Sequence, residues 1–315
     1  MKKILANDGI DLTGQQMLEK AGFQVDTVNI PQNQLVARLP EYDAIIVRSA
    51  TQVRKDLIDQ CPNLKVIARG GVGMDNIDVD YARSKGLSVI NTPAASSQSV
   101  AELVFGHALS LLRFIHLSNR EMPQSGTSEF KQLKKAYSAG RELRGKTLGV
   151  IGLGRIGRKA AEMALGMGMK VVGTDPMVDE VTLEVKLHAD YNQKLSVTIP
   201  SMSLEEVLEQ ADVITIHVPG GKILGAEELA KTRKGVVLVN AARGGVIDEE
   251  ALLAALESGQ VSAAGLDVFV NEPTPNEALL RHPLISVTPH IGAATDQAQE
   301  NIGIELAEQI IEVLG

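Results

Sequence analysis

Lys146-Thr147-Leu148-Gly149-Val150-Ile151-Gly152-Leu153-Gly154-Arg155-Ile156-Gly157 carries an apolar run straight into three glycines spaced G-x-G-x-x-G. The run predicts a strand over Leu148–Ile151, and the residues after it predict a helix over Arg155–Met167. Strand, glycine turn and helix in that order are the fingerprint of a dinucleotide site. Gly152 makes the tight turn, Gly154 lets the backbone approach a pyrophosphate, and Gly157 lets helix and strand pack closely. Free N–H groups at the start of the helix then hold the phosphates. The following strand runs into Asp175, 18 residues after Gly157. An acidic residue there accepts hydrogen bonds from the adenosine ribose hydroxyls. Pro176 comes next, and no Arg stands by to neutralise a 2′-phosphate, so the pattern favours NAD over NADP.

Outward from this segment, short apolar runs alternate with helical patterns. Strands are expected at Lys3–Ala6, Ala44–Val47, Val66–Ala68, Leu148–Ile151, Val171–Gly173, Val213–His217, Val236–Asn240, Ala263–Leu266 and Ile285–Thr288. Most are β-branched and unbroken, as in parallel sheets buried on both faces with helical crossovers. Helices are expected at Leu204–Gln210 and at Glu249–Ser258, the latter opened by Asp248 and stopped by Gly259. The rhythm breaks twice. Ser97–Ser118 reads as one long apolar helix followed by an irregular polar stretch, Asn119–Arg144, and Met177–Ser201 reads as irregular. The simplest division is a first α/β domain over residues 1–98 and a second over 99–293. The final helix, Thr295–Val313, could pack on either and is assigned with the first domain as residues 294–315. Two crossings between domains would leave a cleft, the usual place for a ligand.

Composition narrows the function. The chain has 315 residues, enough for two domains, with 44% hydrophobic and 22% charged residues. Its net charge of −8 contains no basic block, which argues against nucleic acid as a partner. No stretch approaches the 18 apolar residues of a membrane span, and Ile4-Leu5-Ala6 is too short for a signal core. The single Cys61 suits a reducing, cytoplasmic setting and sits in no reactive-thiol motif. The six His residues show no metal-ligand spacing, so no metal is expected.

Three segments of the last quarter place isolated polar residues at strand ends: Arg243 in Asn240–Gly245, Asp267 and Glu272 in Gly265–Pro273, and His290 in Thr288–Gly292. In an open parallel sheet such loops share the carboxyl edge, where ligands bind. Hydride transfer at a hydroxy acid needs a forked cation for the carboxylate and keto oxygen, a group that exchanges the hydroxyl proton near neutrality, and a carboxylate to orient that group. Arg243, His290 and Glu272 fit these roles in turn. His217 and His282 read as structural, with His217 at most lining the cofactor. His107 and His116 read as packing residues on the long helix.

These residues, with Val47–Thr51, Arg69–Asp78, Asn91–Pro93 and Ser99–Glu102, make the chain resemble the D-isomer-specific 2-hydroxyacid dehydrogenases over nearly its whole length, and within them the phosphoglycerate branch. The resemblance implies a Rossmann-type NAD-binding domain beside a flavodoxin-like parallel α/β substrate domain. It implies Arg243, Glu272 and His290 as the catalytic set. Cofactor contacts follow at Val72, Arg155, Ile156, Asp175, Val218, Ala241 and Asp267, with His217 and Pro219 adjoining. The substrate carboxylate is implied at the backbone of Val72 and Gly73, and a phosphate at Arg48 and Arg69, with Ser49 alongside. It further implies a homodimer through Ser97–Arg144. Three features depart from the family pattern. Gly220–Leu224 lacks a Leu-Thr pair and is short. Met177–Ser201 is long. The sequence ends at Gly315, soon after the last expected helix, so the serine-binding domain that some relatives append is not expected.

The expected reaction is therefore NAD-dependent oxidation of 3-phosphoglycerate at C2, at the entry to serine synthesis. A glyoxylate, hydroxypyruvate or D-lactate reductase is the alternative on the same scaffold. A non-catalytic, NAD-responsive corepressor-like protein is the alternative of another class, since fold alone does not separate them.

Overall fold

The computed structural model describes residues 1–315, the side chain of Ala189 excepted. The chain forms two units, Met1–Ser99 with Ala293–Gly315, and Val100–Gly292.

The first unit runs β1 (Lys3–Ala6), α1 (Leu12–Lys20), β2 (Gln24–Asp26), α2 (Gln32–Arg38), β3 (Ala44–Val47), α3 (Lys55–Asp59), β4 (Val66–Arg69), α4 (Val79–Ser84) and β5 (Ser88–Asn91). Its parallel sheet has the flavodoxin-like order β2-β1-β3-β4-β5. All four residues of β3 are fully buried, because helices cover both faces of a central strand. Successive residues alternate between two cores: Leu5, Ile45 and Ile67 join one, while Ile4, Ile46 and Val66 join the other. The last helix, Asp296–Leu314, lays Ile302, Leu306 and Ile310 on the second core. It crosses α1 at two glycines, where a Cβ on Gly14 would overlap the backbone carbonyl of Gly303. That contact settles which unit the last helix packs on.

Chain order continues with α5 (Ser97–Leu112), α6 (Ile115–Ala136), β6 (Thr147–Ile151), α7 (Arg155–Gly166), β7 (Lys170–Thr174), β8 (Glu180–Lys186), β9 (Lys194–Pro200), α8 (Leu204–Gln210), β10 (Val213–Ile216), α9 (Ala226–Lys231), β11 (Val236–Asn240), α10 (Glu249–Glu257), β12 (Val261–Leu266), α11 (Glu277–Arg281) and β13 (Ile285–Val287). Six parallel strands order as β13-β12-β11-β10-β6-β7. Strand succession reverses direction between β6 and β10, the switch point at which a Rossmann-type sheet binds its dinucleotide. The helix α7 buries Gly157, Ala160, Ala161 and Ala164, an i, i+3, i+4, i+7 face of small residues that lets it lie close on the sheet.

Two stretches differ from expectation. Residues 177–201 are not irregular: β8 and β9 form an antiparallel hairpin in continuous register from Glu180↔Pro200 to Lys186↔Lys194. Val181, Leu183 and Ile199 turn one face into the core shared with α7, while Thr182 and Thr198 bond each other outside. The long helix is likewise two helices. It breaks at Phe114, whose φ of 56° is left-handed, and the chain bends 58°. Beyond the break, α6 covers most of the stretch expected to be irregular, kinked at Glu129 (φ −121°, ψ 21°) and with only Leu133 buried. Good helix formers (Arg120, Glu121, Met122, Gln132, Lys134 and Lys135) support it where packing does not. Two further strands went unread: β2 is three residues long and polar at both ends, and β5 is only half-buried. Among the described residues, no single helix is long and apolar enough to cross a membrane.

Candidate active site

The glycine turn is built as its spacing requires. Gly152 has φ 96° and lies against the His217 carbonyl, so a side chain there would strain the backbone and meet the neighbouring strand. A Cβ on Gly157 would overlap the Gly152 carbonyl oxygen. Gly154, the N-cap of α7, faces open space and receives no side-chain cap. Open room and an uncapped helix start fit a pyrophosphate. The Asp175 carboxylate is fixed beside this turn: Oδ2 accepts from Leu153 N at 2.9 Å and Oδ1 from Met177 N at 2.9 Å. Each oxygen keeps a lone pair for a ribose hydroxyl. The base of the hairpin secures the same residue, since Asp175 N donates to Ser201 Oγ at 2.9 Å and that hydroxyl donates to Asp175 O at 3.0 Å. Ser201 carried no motif, and only the fold reveals its place here.

His217 presents its backbone, not its ring, to the glycine turn. Its N–H donates to Ile151 O at 2.7 Å, while ring Nε2 bonds Thr215 Oγ1 at 3.0 Å. Burial pushes the imidazole down to about 4, so it stays neutral near pH 7. Val218 is half-buried and Pro219 exposed beside it. Cys61 lies buried in the first unit with its thiol pushed up to about 11, which suits packing and not chemistry.

On the strand ends of the second unit, Arg243 follows β11 in a turn closed by Asn240. The buried Asn240 side chain accepts from Ala242 N at 3.0 Å and donates to Arg243 O at 2.9 Å. Asn240 was read only as part of a motif; its work is to shape the turn that carries Ala241 and Arg243. Gly244 then rests directly on the Phe269 carbonyl, so the Arg243 turn abuts the loop that carries Glu272. Within that loop Glu272 Oε1 accepts from Phe269 N at 3.0 Å, and its Oε2 meets His290 Nδ1 at 2.8 Å. Both side chains are partly exposed, as groups that receive a ligand must be. Asp267 is 1% exposed and anchors the His290 loop: its carbonyl accepts from His290 N, Oδ1 from Ile291 N at 2.8 Å, and Oδ2 from Gly292 N at 2.9 Å.

The remaining expected residues belong to the first unit. Arg69 is the last residue of β4, not the first after it, and pairs in register with Val47. Arg48 thus leaves the neighbouring strand at the same level. Its N–H donates to Asp8 Oδ2 at 2.7 Å, and Asp8 together with Asn76 ties down the whole turn Arg48–Thr51, which includes the exposed Ser49. Neither Asp8 nor Asn76 was singled out as a binding residue. Gly71, at φ 141°, leaves room for the Arg69 guanidinium, which bonds Gly70 O. Val72 is exposed and Gly73 half-buried next to it. In the second unit, His116 Nε2 reaches Pro283 O at 3.1 Å, 167 residues away along the chain, while His282 Nδ1 makes a local contact, accepting from Leu284 N at 3.2 Å.

Residues 105–292 match the family model described as D-isomer specific 2-hydroxyacid dehydrogenase, NAD binding domain. A hydroxypyruvate reductase from Thermotoga maritima is 42% identical over 323 residues, covering 99% of this chain and 98% of that one. The D-3-phosphoglycerate dehydrogenase of Bacillus subtilis is 40% identical over 317 residues, and there the chain spans 57% of a longer protein. Among solved structures, a glyoxylate reductase from Paecilomyes thermophila superposes with a TM-score of 0.81 at 28% identity, covering 99% of this chain and 95% of that one. With strand order, glycine turn and comparisons in agreement, the chain belongs to the NAD-dependent D-isomer-specific 2-hydroxyacid dehydrogenases.

Proposed function

We propose that the protein interconverts 3-phosphoglycerate and 3-phosphohydroxypyruvate, with Arg243, Glu272 and His290 as its catalytic residues. The observation that carries the acid–base assignment is the 2.8 Å contact between His290 Nδ1 and Glu272 Oε2. With Nδ1 engaged by a carboxylate, Nε2 is the ring nitrogen left for substrate. Arg243 pins the carboxylate and polarises the C2 oxygen through its guanidinium fork. In the oxidative direction His290 Nε2 takes the C2 hydroxyl proton as the C2–H bond gives up its hydride, and Glu272 stabilises the imidazolium that results. In reduction the protonated ring returns that proton to the keto oxygen. Bound NAD supplies the hydride acceptor, held at Gly152, Gly154 and Gly157 with Asp175 on its ribose.

Arg48 and Arg69, at the carboxyl ends of adjacent strands, support the choice of a phosphorylated substrate. A hydroxypyruvate reductase is the second reading, favoured by the end-to-end match with the Thermotoga maritima relative. Assays of 3-phosphohydroxypyruvate, hydroxypyruvate, glyoxylate and pyruvate with NADH separate the two. The phosphoglycerate reading expects kcat/KM for the phosphorylated acid to lead by about tenfold or more, the worth of one charge-assisted hydrogen bond. Parity between the first two would leave the reductase in its place. The reading also includes a cytoplasmic homodimer formed through residues 97–144, where Ile115, Met122 and Phe130 are exposed on α6.

A further inference from the structure

His107 sits on α5 and is only 3% exposed, yet it is not packed as a hydrophobe. Both ring nitrogens are bonded: Nδ1 to Ser286 Oγ at 3.0 Å and Nε2 to Thr288 Oγ1 at 2.9 Å. The Thr288 hydroxyl in turn donates to Asp267 Oδ1 at 2.6 Å. A hydroxyl has one proton, so toward His107 it can only accept. Nε2 therefore carries the ring's hydrogen. The imidazole is held neutral by burial, against the nearby Asp267 charge and with His116 opposing protonation, so Nδ1 accepts from Ser286. The direction of every proton in the chain His107–Thr288–Asp267 is thereby set.

The fold makes room for this ring. Gly265 on β12 faces it, and a Cβ there would lie 2.7 Å from His107 Cβ and 3.2 Å from Nδ1. At the other end of the chain, Asp267 gathers the N–H groups of Ile291 and Gly292 on its carboxylate and that of His290 on its carbonyl. His290 itself is left-handed, with φ 56°, a conformation that its surroundings must impose.

We propose that His107 is a positioning residue for His290. Through Thr288 it orients the Asp267 carboxylate, which staples the loop 288–292 so that His290 meets Glu272 on one side and substrate on the other. The inference rests on the acid–base reading of His290.

The test compares Thr288→Val, Thr288→Ser, His107→Leu and the double variant His107→Leu/Thr288→Val in keto-acid reduction, with His290→Asn as reference. Each break in the chain should lower kcat about tenfold, the worth of one hydrogen bond. KM for NADH should stay within about twofold of wild type, because the loop that carries His290 and not the dinucleotide turn is disturbed. The double variant should be no worse than Thr288→Val alone, and Thr288→Ser, which keeps the hydroxyl, should restore kcat to within about twofold. In 15N-histidine NMR of the wild type near pH 8, above the ordinary imidazole range, His107 should be the neutral tautomer protonated at Nε2. Losses that multiply in the double variant, a Thr288→Ser variant no better than Thr288→Val, or a proton on Nδ1 of neutral His107 would each overturn the inference. Normal turnover in His290→Asn would instead remove the acid–base reading on which it stands.

Discussion

His290 is a non-glycine residue at φ 56°, which costs about 1–2 kcal/mol and is met by hydrogen bonds from its N–H to Asp267 O and Thr288 O. Asparagine tolerates that conformation, so His290→Asn removes the proposed acid–base group while keeping the loop. Turnover should fall by about 10²–10⁴, the usual worth of general acid–base catalysis, with NADH affinity by fluorescence titration within about twofold of wild type. At Asp175 the carboxylate is held by two backbone N–H groups at 2.9 Å, so it cannot swing away from an incoming 2′-phosphate. We expect kcat/KM for NAD to exceed that for NADP by at least about tenfold, and Asp175→Ala to narrow the gap as a charged hydrogen bond worth about 1.5–3 kcal/mol is lost. Equal use of both cofactors by the wild type would contradict the assignment. At this scale the sequence already offers Arg243, Glu272 and His290 as candidates, because polar residues interrupt apolar strand ends. Asn240, Asp8 and Ser201 are not legible there, because their roles are hydrogen bonds to backbone far away or around a turn, which residue type alone does not announce.

The hairpin β8–β9 shows what happens when a signal is present and passed over. Glu180-Val181-Thr182-Leu183-Glu184-Val185-Lys186 alternates polar and apolar with period two, a half-buried strand in plain form. Its buried face is structural for the second unit, and Leu183 is fully buried. Leu183→Ala should cost about 2–5 kcal/mol by urea unfolding, whereas Thr182→Ala, on the outer face, should cost under about 1 kcal/mol. Similar small effects from both would mean that the hairpin is not part of the core. Strand β10 and the residue that ends it carry a pH dependence. His217 is neutral in the folded protein, its imidazole pushed down to about 4, whereas an exposed histidine titrates near 6.5. As pH falls, the unfolded chain takes up this proton first. The stability is thus whole above about pH 6.5 and is lost progressively down to about pH 4. His217→Asn should unfold with a shallower decline between pH 7 and pH 4.5 than the wild type, as followed by thermal melts. Parallel curves would show that His217 does not titrate differently on folding.

Across the whole molecule the two units divide the proposed chemistry: the proposed acid–base pair and the dinucleotide turn belong to the second, and the proposed phosphate ligands to the first. Arg48→Ala and Arg69→Ala should each raise KM for 3-phosphohydroxypyruvate about tenfold or more and leave hydroxypyruvate within about threefold, because only the phosphate loses a charge-assisted partner. Equal losses on both acids would assign the pair to the shared carboxylate or to folding. The sequence by itself determined the α/β class, most of the parallel strands, the dinucleotide turn and the family, because these rest on local rules: β-branched runs, glycine spacing, and a carboxylate at a set distance along the chain. Only the tertiary structure decided that the last helix packs on the first sheet through the Gly14–Gly303 contact, that the long helix breaks at Phe114, and that His107 is the end of a buried polar chain and not a packing residue. Each of these depends on which surfaces meet across tens or hundreds of residues, and a buried imidazole looks the same in sequence whether its neighbours are methyl groups or hydroxyls.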